Sequence, residues 1–189
     1  RHAMLNNHVP IVVSRHSEKH NSPYKVISFS DIAQPSIQRL FSGEYAVVNL
    51  TGAGIADEKW SSERKVVLRN SRIDLLSRVE LFLQQAPQEP QVIVQASAIG
   101  YYGDTGDAII NESAVCGKGF LADLSAEWEA RFNNLSLEET RPVIIRTGVV
   151  LSKLGGMLPR VMKPFKLGLG GYVGSGKQFL SWIHIEDHV

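Results

Sequence analysis

The chain has 189 residues, of which 43% are hydrophobic and 21% charged, so one packed core and a single domain over residues 1–189 are expected. The formal net charge of +1 excludes a strongly basic nucleic-acid-binding face. Cys116 is the single cysteine, so an internal disulfide is excluded, and the lack of a Cys/His cluster predicts no metal site. No apolar run approaches the ~20 residues of a membrane span, and the N-terminus lacks the apolar core of a signal peptide. We therefore expect a soluble cytoplasmic protein. Its expected partners are small molecules, not nucleic acid or membranes.

Short apolar runs rich in β-branched residues recur along the chain and predict strands. In chain order, these runs are Ile11–Ser14, Val26–Phe29, Tyr45–Leu50, Val92–Ala96, Val143–Thr147 and Trp182–Ile185. Helices are predicted between them, a short one near Pro35–Phe41, a long amphipathic one over Asp57–Gln85 and a third over Phe120–Leu135. Pro87 and Pro90 end the long helix. Strands that alternate with helices and are almost continuously apolar predict an α/β fold with a doubly wound parallel sheet.

Both termini have the pattern of an interrupted fold. Residues His2–Asn7 are typical of the last turns of a helix, yet no strand precedes them, and Asp187 has the character of a helix cap that no helix follows. We therefore expect the chain to be an internal portion of a longer protein.

The segment Val92–Gly103, VIVQASAIGYYG, contains the clearest candidate for a functional residue. Ser97 lies at the carboxyl end of the predicted strand, and a tyrosine–glycine turn comes directly after it. In an open parallel sheet, ligands bind outside the carboxyl ends of the strands, so the Ser97 hydroxyl is expected to face a ligand. The alternative is that Ser97 only caps the turn, as small hydroxyl residues often do.

The end of the first strand, Val12–Arg15, predicts which cofactor a dinucleotide-binding fold would choose. At this position an acidic residue would hold the ribose 2′-hydroxyl, whereas an arginine accommodates a 2′-phosphate. Ser14 and Arg15 therefore favour NADP over NAD. A solvated surface arginine is the alternative interpretation.

Two glycine-rich patterns near the C-terminus come close to nucleotide-binding motifs without fulfilling them. Gly168, Gly171 and Gly174 have the spacing GxxGxxG, but a strand rather than a helix follows. The segment Gly171–Lys177, GYVGSGK, lacks the magnesium-binding serine or threonine, because Gln178 stands in its place. We interpret this segment as a backbone-exposing loop beside a substrate pocket, which makes Gly171 a substrate-side candidate.

Several segments, taken in order, resemble one protein family. They read VNLTGAGIADEKW with RKVVLRNSR, ASAIGYYGD, FLADLSAEWE, RTGVVLSKLGGML and PFKLGLGGYVGSGKQFLSWIHIEDHV. Together they resemble the atypical, extended-like branch of the short-chain dehydrogenase/reductase superfamily, whose members are called NAD-dependent epimerase/dehydratase or sugar-nucleotide epimerase family proteins. The resemblance covers nearly the whole chain from Ile11 onward. It implies a Rossmann-type fold whose first strand, with its glycine-rich turn, and C-terminal substrate lobe lie outside this chain.

The resemblance also implies roles for individual residues. Its cofactor contacts fall on the turn after the third predicted strand and on later strand ends, at Leu50, Thr51, Gly52, Ala96, Arg146, Thr147, Gly148 and Val149. Ser97 occupies the position of the catalytic serine. The strand from Trp182 to Asp187 borders the substrate pocket, so Trp182 and His184 become substrate-side candidates.

The sequence departs from the family at its catalytic pair. Typical members have a tyrosine four residues before a lysine, whose charge lowers the pKa of the phenol. None of the five tyrosines here has a lysine at that offset. Tyr101 and Tyr102 beside Ser97, Glu112 in the following loop and His184 are the remaining candidates for moving protons. Each has an ordinary alternative, as packing tyrosines, a loop carboxylate and a hydrogen-bonded strand histidine.

These observations predict an NADP-dependent oxidoreductase or epimerase-like enzyme that acts on an unidentified carbonyl or nucleotide-sugar substrate. Its chemistry would be hydride transfer to or from the nicotinamide. The alternative, favoured by the missing YxxxK motif, is a non-catalytic NADP-binding protein whose cofactor occupancy controls partner binding. The sequence leaves the substrate open, and it also leaves open whether the protein forms a homodimer.

Overall fold

The computed structural model describes residues 8–14, 23–172 and 174–189 of the chain. The strands in these ranges are β1 (Ile11–Val13), β2 (Lys25–Ile27), β3 (Ala46–Asn49), β4 (Val92–Ala98), β5 (Arg141–Thr147), β6 (Val149–Leu151) and β7 (Trp182–His184). The α-helices are α1 (Pro35–Gln38), α2 (Ser62–Gln85), α3 (Phe120–Asn133), α4 (Met157–Lys166) and α5 (Ile185–His188). Short 3-10 helices lie at Phe29–Asp31, Arg39–Phe41 and Ile99–Tyr102.

The described strands form three sheets. The first sheet consists of β1 and β2. The second consists of β3, β4 and β5, with β4 in the middle, and the third of β6 and β7. The pairs β1–β2, β3–β4 and β6–β7 are parallel, with Ala46 opposite Val92 and Val149 opposite Trp182. Parallel neighbours need a crossover, which α2 supplies between β3 and β4 and α4 between β6 and β7. The predicted parallel α/β class is confirmed.

Helix α2 begins later than its amphipathic pattern predicts. The periodicity predicts a start at Asp57, but the first helical residue is Ser62. Ser61 has an extended backbone, and its side chain accepts a hydrogen bond from the Arg64 backbone N–H at 3.1 Å. This N-cap satisfies one of the amide groups that a helix start leaves without a partner, so the helix begins there.

Boundaries near the C-terminus also differ from prediction. The pattern does not predict α4, because Pro159 and Pro164 interrupt it, yet Pro159 lies in the first turn, where a missing N–H costs no hydrogen bond. Asp187 lies inside α5, and the residue that caps this helix is His184, whose Nδ1 accepts from the Glu186 N–H at 3.4 Å. The prediction that Asp187 caps a missing helix is therefore wrong.

The chain divides into two compact units. The first comprises Arg1–Gln95 and Trp128–Ile144, and the second comprises Ala96–Glu127 and Ile145–Val189. The chain passes from one unit to the other within β4, α3 and β5. The single domain expected over residues 1–189 stays a prediction.

The core of the first unit consists of apolar side chains from α2, β4 and α3. Leu68, Leu76 and Val79 are buried along one side of α2, and Ile93 and Phe132 are almost completely buried as well. The spacing of the three α2 residues is that of a single helical stripe, as the amphipathic pattern predicts.

Glu89 ties the segment before β5 to the segment before β4 in the first unit. Its carboxylate accepts hydrogen bonds from the backbone N–H groups of Glu138, Glu139 and Thr140 at 3.1–3.2 Å, and from the Thr140 hydroxyl at 2.8 Å. These bonds, above all the one from the Thr140 side chain, hold the pKa of Glu89 below its ordinary value. Because β5 starts at Arg141, the contact fixes how the chain enters that strand.

The second unit keeps many large apolar side chains exposed. Ala122 and Leu124 of α3 are buried, whereas Phe165 at the end of α4 and Trp182 at the start of β7 are 57% and 62% exposed. Among the described helices, none is both long enough and apolar enough to cross a membrane.

Candidate functional site

A buried amide pair holds the turn after β3 in the first unit. Asn49 is 4% exposed and donates from Nδ2 to Oε1 of the fully buried Gln95 at 2.8 Å. The Oδ1 of Asn49 accepts from the Thr51 backbone N–H at 3.2 Å and from the Thr51 hydroxyl at 2.5 Å. Buried amides are hydrogen-bonded in folded proteins, so this pair fixes the conformation of the turn. Leu50 on the same turn is 70% exposed.

Helix α2 holds the next residues of this turn through two adjacent side chains. The Ser71 hydroxyl oxygen accepts from the Ala53 N–H at 2.9 Å, and Arg72 donates from Nη2 to the Ala53 carbonyl at 3.1 Å. The Arg72 guanidinium also lies 5.3 Å from the centroid of the Trp128 ring. Burial and the positive charge of Arg64 lower the pKa of Arg72 from its ordinary value. The backbone around Ala53 is thus fixed to the helix on both its N–H and its carbonyl side.

The predicted 2′-phosphate contact lies after β1. The Ser14 N–H donates to the Ile27 carbonyl at 2.9 Å, which continues the pairing of β1 with β2. Arg15 lies outside the described residues, as does His2–Asn7 with its predicted helix. The cofactor preference assigned to Ser14 and Arg15 therefore stays a prediction.

Ser97 belongs to the second unit and is the next-to-last residue of β4. It is 6% exposed. The 3-10 helix Ile99–Tyr102 follows, and its N-cap is Ala98, with no capping hydrogen bond from a side chain. Ser97 therefore lies at the strand end where it was predicted, and its role, as a ligand-facing hydroxyl or as a turn residue, stays a prediction.

Arg146 joins the two tyrosines of this turn. Its Nη1 donates to the Tyr102 hydroxyl oxygen at 2.9 Å and to the Glu112 carbonyl at 3.0 Å. Its Cζ lies 3.6 Å from the centroid of the Tyr101 ring and 5.1 Å from that of Tyr102. The two rings meet edge to face, with centroids 5.4 Å apart. Cation–π contact and charge-assisted hydrogen bonds together hold the guanidinium in one position against the phenol oxygen.

The loop after the turn folds back against it. Gly103 has a φ of 65°, in the left-handed region that favours glycine, and a Cβ there would lie 3.1 Å from the Lys118 backbone nitrogen. The Gly117 N–H donates to the Tyr101 carbonyl at 2.9 Å. Glu112 lies in this loop and contributes its backbone carbonyl to Arg146, while its predicted role as a substrate-side carboxylate stays a prediction.

The turn between β5 and β6 carries the residues predicted beside the nicotinamide. Arg146 and Thr147 end β5, Gly148 forms the connection and Val149 begins β6. A Cβ on Gly148 would lie 2.8 Å from the Ser181 carbonyl oxygen, so only glycine allows this approach of the chain. The predicted contacts of these residues and of Ala96 with a cofactor stay predictions.

The predicted substrate-side residues of the second unit lie at the surface. Trp182 begins β7, and Gly171 has no heavy atom within 4 Å of the place its Cβ would take. His184 is hydrogen-bonded to the Glu186 backbone, which was the ordinary alternative for it. Their contact with a substrate stays a prediction.

Two long-range side-chain pairs of the candidate site are not predicted from the sequence. The partners Arg146 and Tyr102 are 44 residues apart, and Asn49 and Gln95 are 46 residues apart. Gln95 gave a signal, since a polar residue inside an apolar strand must find a buried partner. Nothing in the sequence pairs Arg146 with a tyrosine. In the part of the chain that the structure describes, no group of three or more His, Cys, Asp or Glu residues could hold a metal ion.

Proteins named as epimerase family members are similar to this chain. It is 44% identical over 144 residues to one from Mycobacterium bovis, an alignment that covers 76% of this chain and 47% of that protein. It is 36% identical over 188 residues to the chloroplastic SDR39U1 homologue of Arabidopsis thaliana, covering 97% of this chain and 54% of that protein. The crystal structure of human epimerase family protein SDR39U1 with NADPH matches 98% of this chain and 61% of its own, with a TM-score of 0.82 and 32% identity. The chain belongs to this epimerase family, an atypical branch of the short-chain dehydrogenase/reductases.

The alignment with the epimerase-family relatives covers only part of each of them. The chain spans about half the length of the curated relatives it matches. No protein-family model matches the sequence. The predicted family resemblance and the Rossmann-type fold are confirmed by the relatives and by the superposition on the human protein.

Proposed function

We propose that this epimerase-family protein is an NADP-dependent oxidoreductase or epimerase-like enzyme that acts on a carbonyl or nucleotide-sugar substrate. The observation that carries the proposal is the bond from Arg146 to the Tyr102 oxygen, on the turn directly after β4, whose next-to-last residue is Ser97. A tyrosine with a neighbouring cation is a general acid/base in carbonyl chemistry. The sequence lacks the lysine that usually supplies this cation, and Arg146 supplies one from another strand.

The turn after β3 has the chemistry expected for an adenosine group. Leu50 offers an exposed apolar surface, on which a flat base packs, and Gly52 carries no side chain. The hydrogen bonds of Asn49 and Arg72 keep the turn in place without a ligand. Ser14 and Arg15 would hold the 2′-phosphate, and the NADPH in the crystal structure of the human relative supports this choice.

The second unit carries the residues proposed for the nicotinamide and the substrate. Ala96, Thr147, Gly148 and Val149 would contact the nicotinamide side of the cofactor. When bound, NADPH would supply a hydride. Ser97 and Tyr102 would bind the oxygen of the substrate carbonyl, and Trp182, His184, Gly171 and Glu112 are proposed to lie toward the rest of the substrate.

The second candidate is a non-catalytic protein in which bound NADP controls a partner. The missing YxxxK motif favours it. The cation on the Tyr102 oxygen favours the enzyme instead, because it stabilises the phenolate that proton donation would leave.

Turnover by the purified full-length protein distinguishes the two candidates. With NADPH, we use phenanthrenequinone as the carbonyl probe. With NADP+, we use UDP-glucose as the nucleotide-sugar probe, because epimerisation begins with hydride transfer from the sugar to the oxidised cofactor. We expect NADPH oxidation or epimer formation, and we expect Ser97→Ala to lower kcat by about 100-fold because the hydroxyl orients the reacting oxygen. The Kd for NADPH should change by less than about threefold in this variant, since the hydroxyl does not hold the cofactor.

Ser125→Ala is the matched control, because it removes another buried serine hydroxyl, on α3, to which the proposal gives no role. This variant should keep the wild-type kcat. If neither probe is turned over and Ser97→Ala changes only thermal stability, the enzyme proposal fails and the cofactor-controlled protein is favoured.

A further inference from the structure

We infer that Tyr102, and not Tyr101, donates the proton in the proposed reaction, and that Arg146 is the positioning residue that takes the place of the usual lysine. This inference rests on the proposed function. The sequence leaves the two adjacent tyrosines equivalent. The structure separates them, because Tyr102 offers its oxygen to Arg146 and Tyr101 offers its ring face.

The bond from Arg146 decides the direction of the Tyr102 phenol proton. A guanidinium has N–H donors and no acceptor, so Nη1 of Arg146 donates and the Tyr102 oxygen accepts, at 2.9 Å. The phenol O–H therefore cannot be donated to Arg146. It is directed toward another acceptor, and a substrate carbonyl oxygen is an acceptor of this kind.

Arg146 is itself fixed by contacts on several sides. Its Nη1 also donates to the Glu112 carbonyl at 3.0 Å, so each of the two Nη1 hydrogens has its own oxygen. The face of the Tyr101 ring lies 3.6 Å from Cζ. A lysine ammonium lacks the planar group that stacks on a ring, so lysine would replace only the charge of Arg146.

The proton transfer balances with hydride transfer. When bound, NADPH supplies the hydride that forms the new C–H bond at the carbonyl carbon, so the cofactor is oxidised and the carbonyl is reduced to an alcohol. The Tyr102 O–H bond breaks, and its proton forms the alcohol O–H. The phenolate left on Tyr102 lies against the Arg146 guanidinium, which stabilises the negative charge until water returns a proton.

Tyr101 has a different role in this arrangement. Its ring supports the guanidinium, and a phenylalanine ring would give the same support. The two tyrosines therefore respond differently to the same substitution. Tyr102→Phe removes the donor, whereas Tyr101→Phe keeps the face on which Arg146 lies.

Variants of the full-length protein test these roles with NADPH and phenanthrenequinone. We expect Tyr102→Phe and Arg146→Met to lower kcat by about 100-fold, and Tyr102→Phe to keep the Kd for NADPH within about threefold of the wild type. Arg146→Lys should recover part of the loss, and added guanidinium ion should partly restore Arg146→Ala in a saturable way. Tyr101→Phe should lose much less activity than Tyr101→Leu.

Arg141→Met is the matched control, because Arg141 is an exposed arginine at the start of the same strand, β5. Its kcat should equal that of the wild type, and guanidinium ion should not affect it.

Side-chain NMR of ¹⁵N-labelled arginine provides a readout without turnover. The Tyr101 ring face should shift the Arg146 guanidinium protons upfield, and this shift should persist in Tyr101→Phe and vanish in Tyr101→Leu. Tyr102→Phe should speed the exchange of the Nη1 protons with water, because one of their acceptors is lost.

The outcomes separate this inference from the proposed function. Absence of wild-type turnover with either probe would overturn the proposed function and the donor role with it. Turnover that survives Tyr102→Phe would overturn the donor role alone. Loss in Tyr102→Phe with full activity in Arg146→Met, or an Arg146 NMR signal insensitive to both tyrosines, would overturn the positioning role.

Discussion

The surroundings of Tyr45 hold its phenol in the neutral form. Its ring packs with Phe41 and Phe82, with centroids 5.3 and 6.4 Å away, and its hydroxyl donates to the Gln88 carbonyl at 2.7 Å. Burial, together with the negative charge of Glu89, raises the pKa of Tyr45 from its ordinary value of 10 to about 12. The folded chain therefore binds this proton more tightly than the unfolded chain does.

We expect Tyr45 to cause a loss of stability at alkaline pH. Because its pKa is raised in the folded state, its contribution is complete below pH 10 and is lost as the pH rises toward 12. The free energy of unfolding should fall by about 1 kcal/mol over this range, less than full burial would give, since the side chain is only half-buried. Urea denaturation at stepped pH measures this loss, which Tyr45→Phe should remove.

Tyr172→Phe is the control for this prediction, since Tyr172 is 83% exposed. It should retain the alkaline loss of the wild type. The same alkaline loss in Tyr45→Phe would show that another group is responsible.

At the scale of elements, helix α2 links the core of the first unit to the turn after β3. Its Leu68 and Leu76 are buried in the core, while Ser71 and Arg72 bind both backbone groups of Ala53. A change in the position of the helix would therefore move the turn that is proposed to contact the cofactor. The start of the helix, at the Ser61 cap, is the part of this link that local chemistry controls.

We expect Ser61→Ala to destabilise the protein by about 1 kcal/mol, because the Arg64 N–H would lose its side-chain acceptor. Ser62→Ala is the matched control, since Ser62 is the first helical residue and not the cap. Urea denaturation of both variants measures the difference. Equal destabilisation would mean that the cap does not define the start of α2.

At the scale of the whole molecule, a bound cofactor stabilises the folded chain against unfolding. A ligand that binds only the folded state adds about 2.7 kcal/mol at a concentration 100 times its Kd. The size of this stabilisation therefore reports which dinucleotide the protein prefers. Arg15 carries the proposal for NADP.

We expect NADPH to raise the Tm of the full-length protein by several degrees, and NADH at the same concentration to raise it less. Arg15→Ala should reduce the NADPH shift to that of NADH, because the guanidinium would no longer meet the 2′-phosphate. Arg39→Ala, which removes an exposed arginine of a 3-10 helix, is the control. Equal shifts for the two cofactors in the wild type would contradict the preference.

Much of the fold was predictable because its signals are local. The ends of every predicted strand lie within about two residues of the ends of a strand in the structure, because apolar runs and their flanking turns are short-range patterns. The start of α2 was not predictable in this way. The amphipathic pattern continues back to Asp57, whereas the helix begins at Ser62 because the Ser61 side chain caps it. α4 was missed because its two prolines resemble helix breakers in sequence.

The sequence by itself determined the parallel α/β class, the family resemblance and the place of Ser97 and the two tyrosines at a strand end. Only the tertiary structure decided which tyrosine meets a cation. Arg146 reaches Tyr102 across 44 residues of chain, and Asn49 reaches Gln95 across 46, each from a different strand. Such contacts depend on how strands pair and how side chains pack, and these long-range features leave no mark in the local spacing of residues.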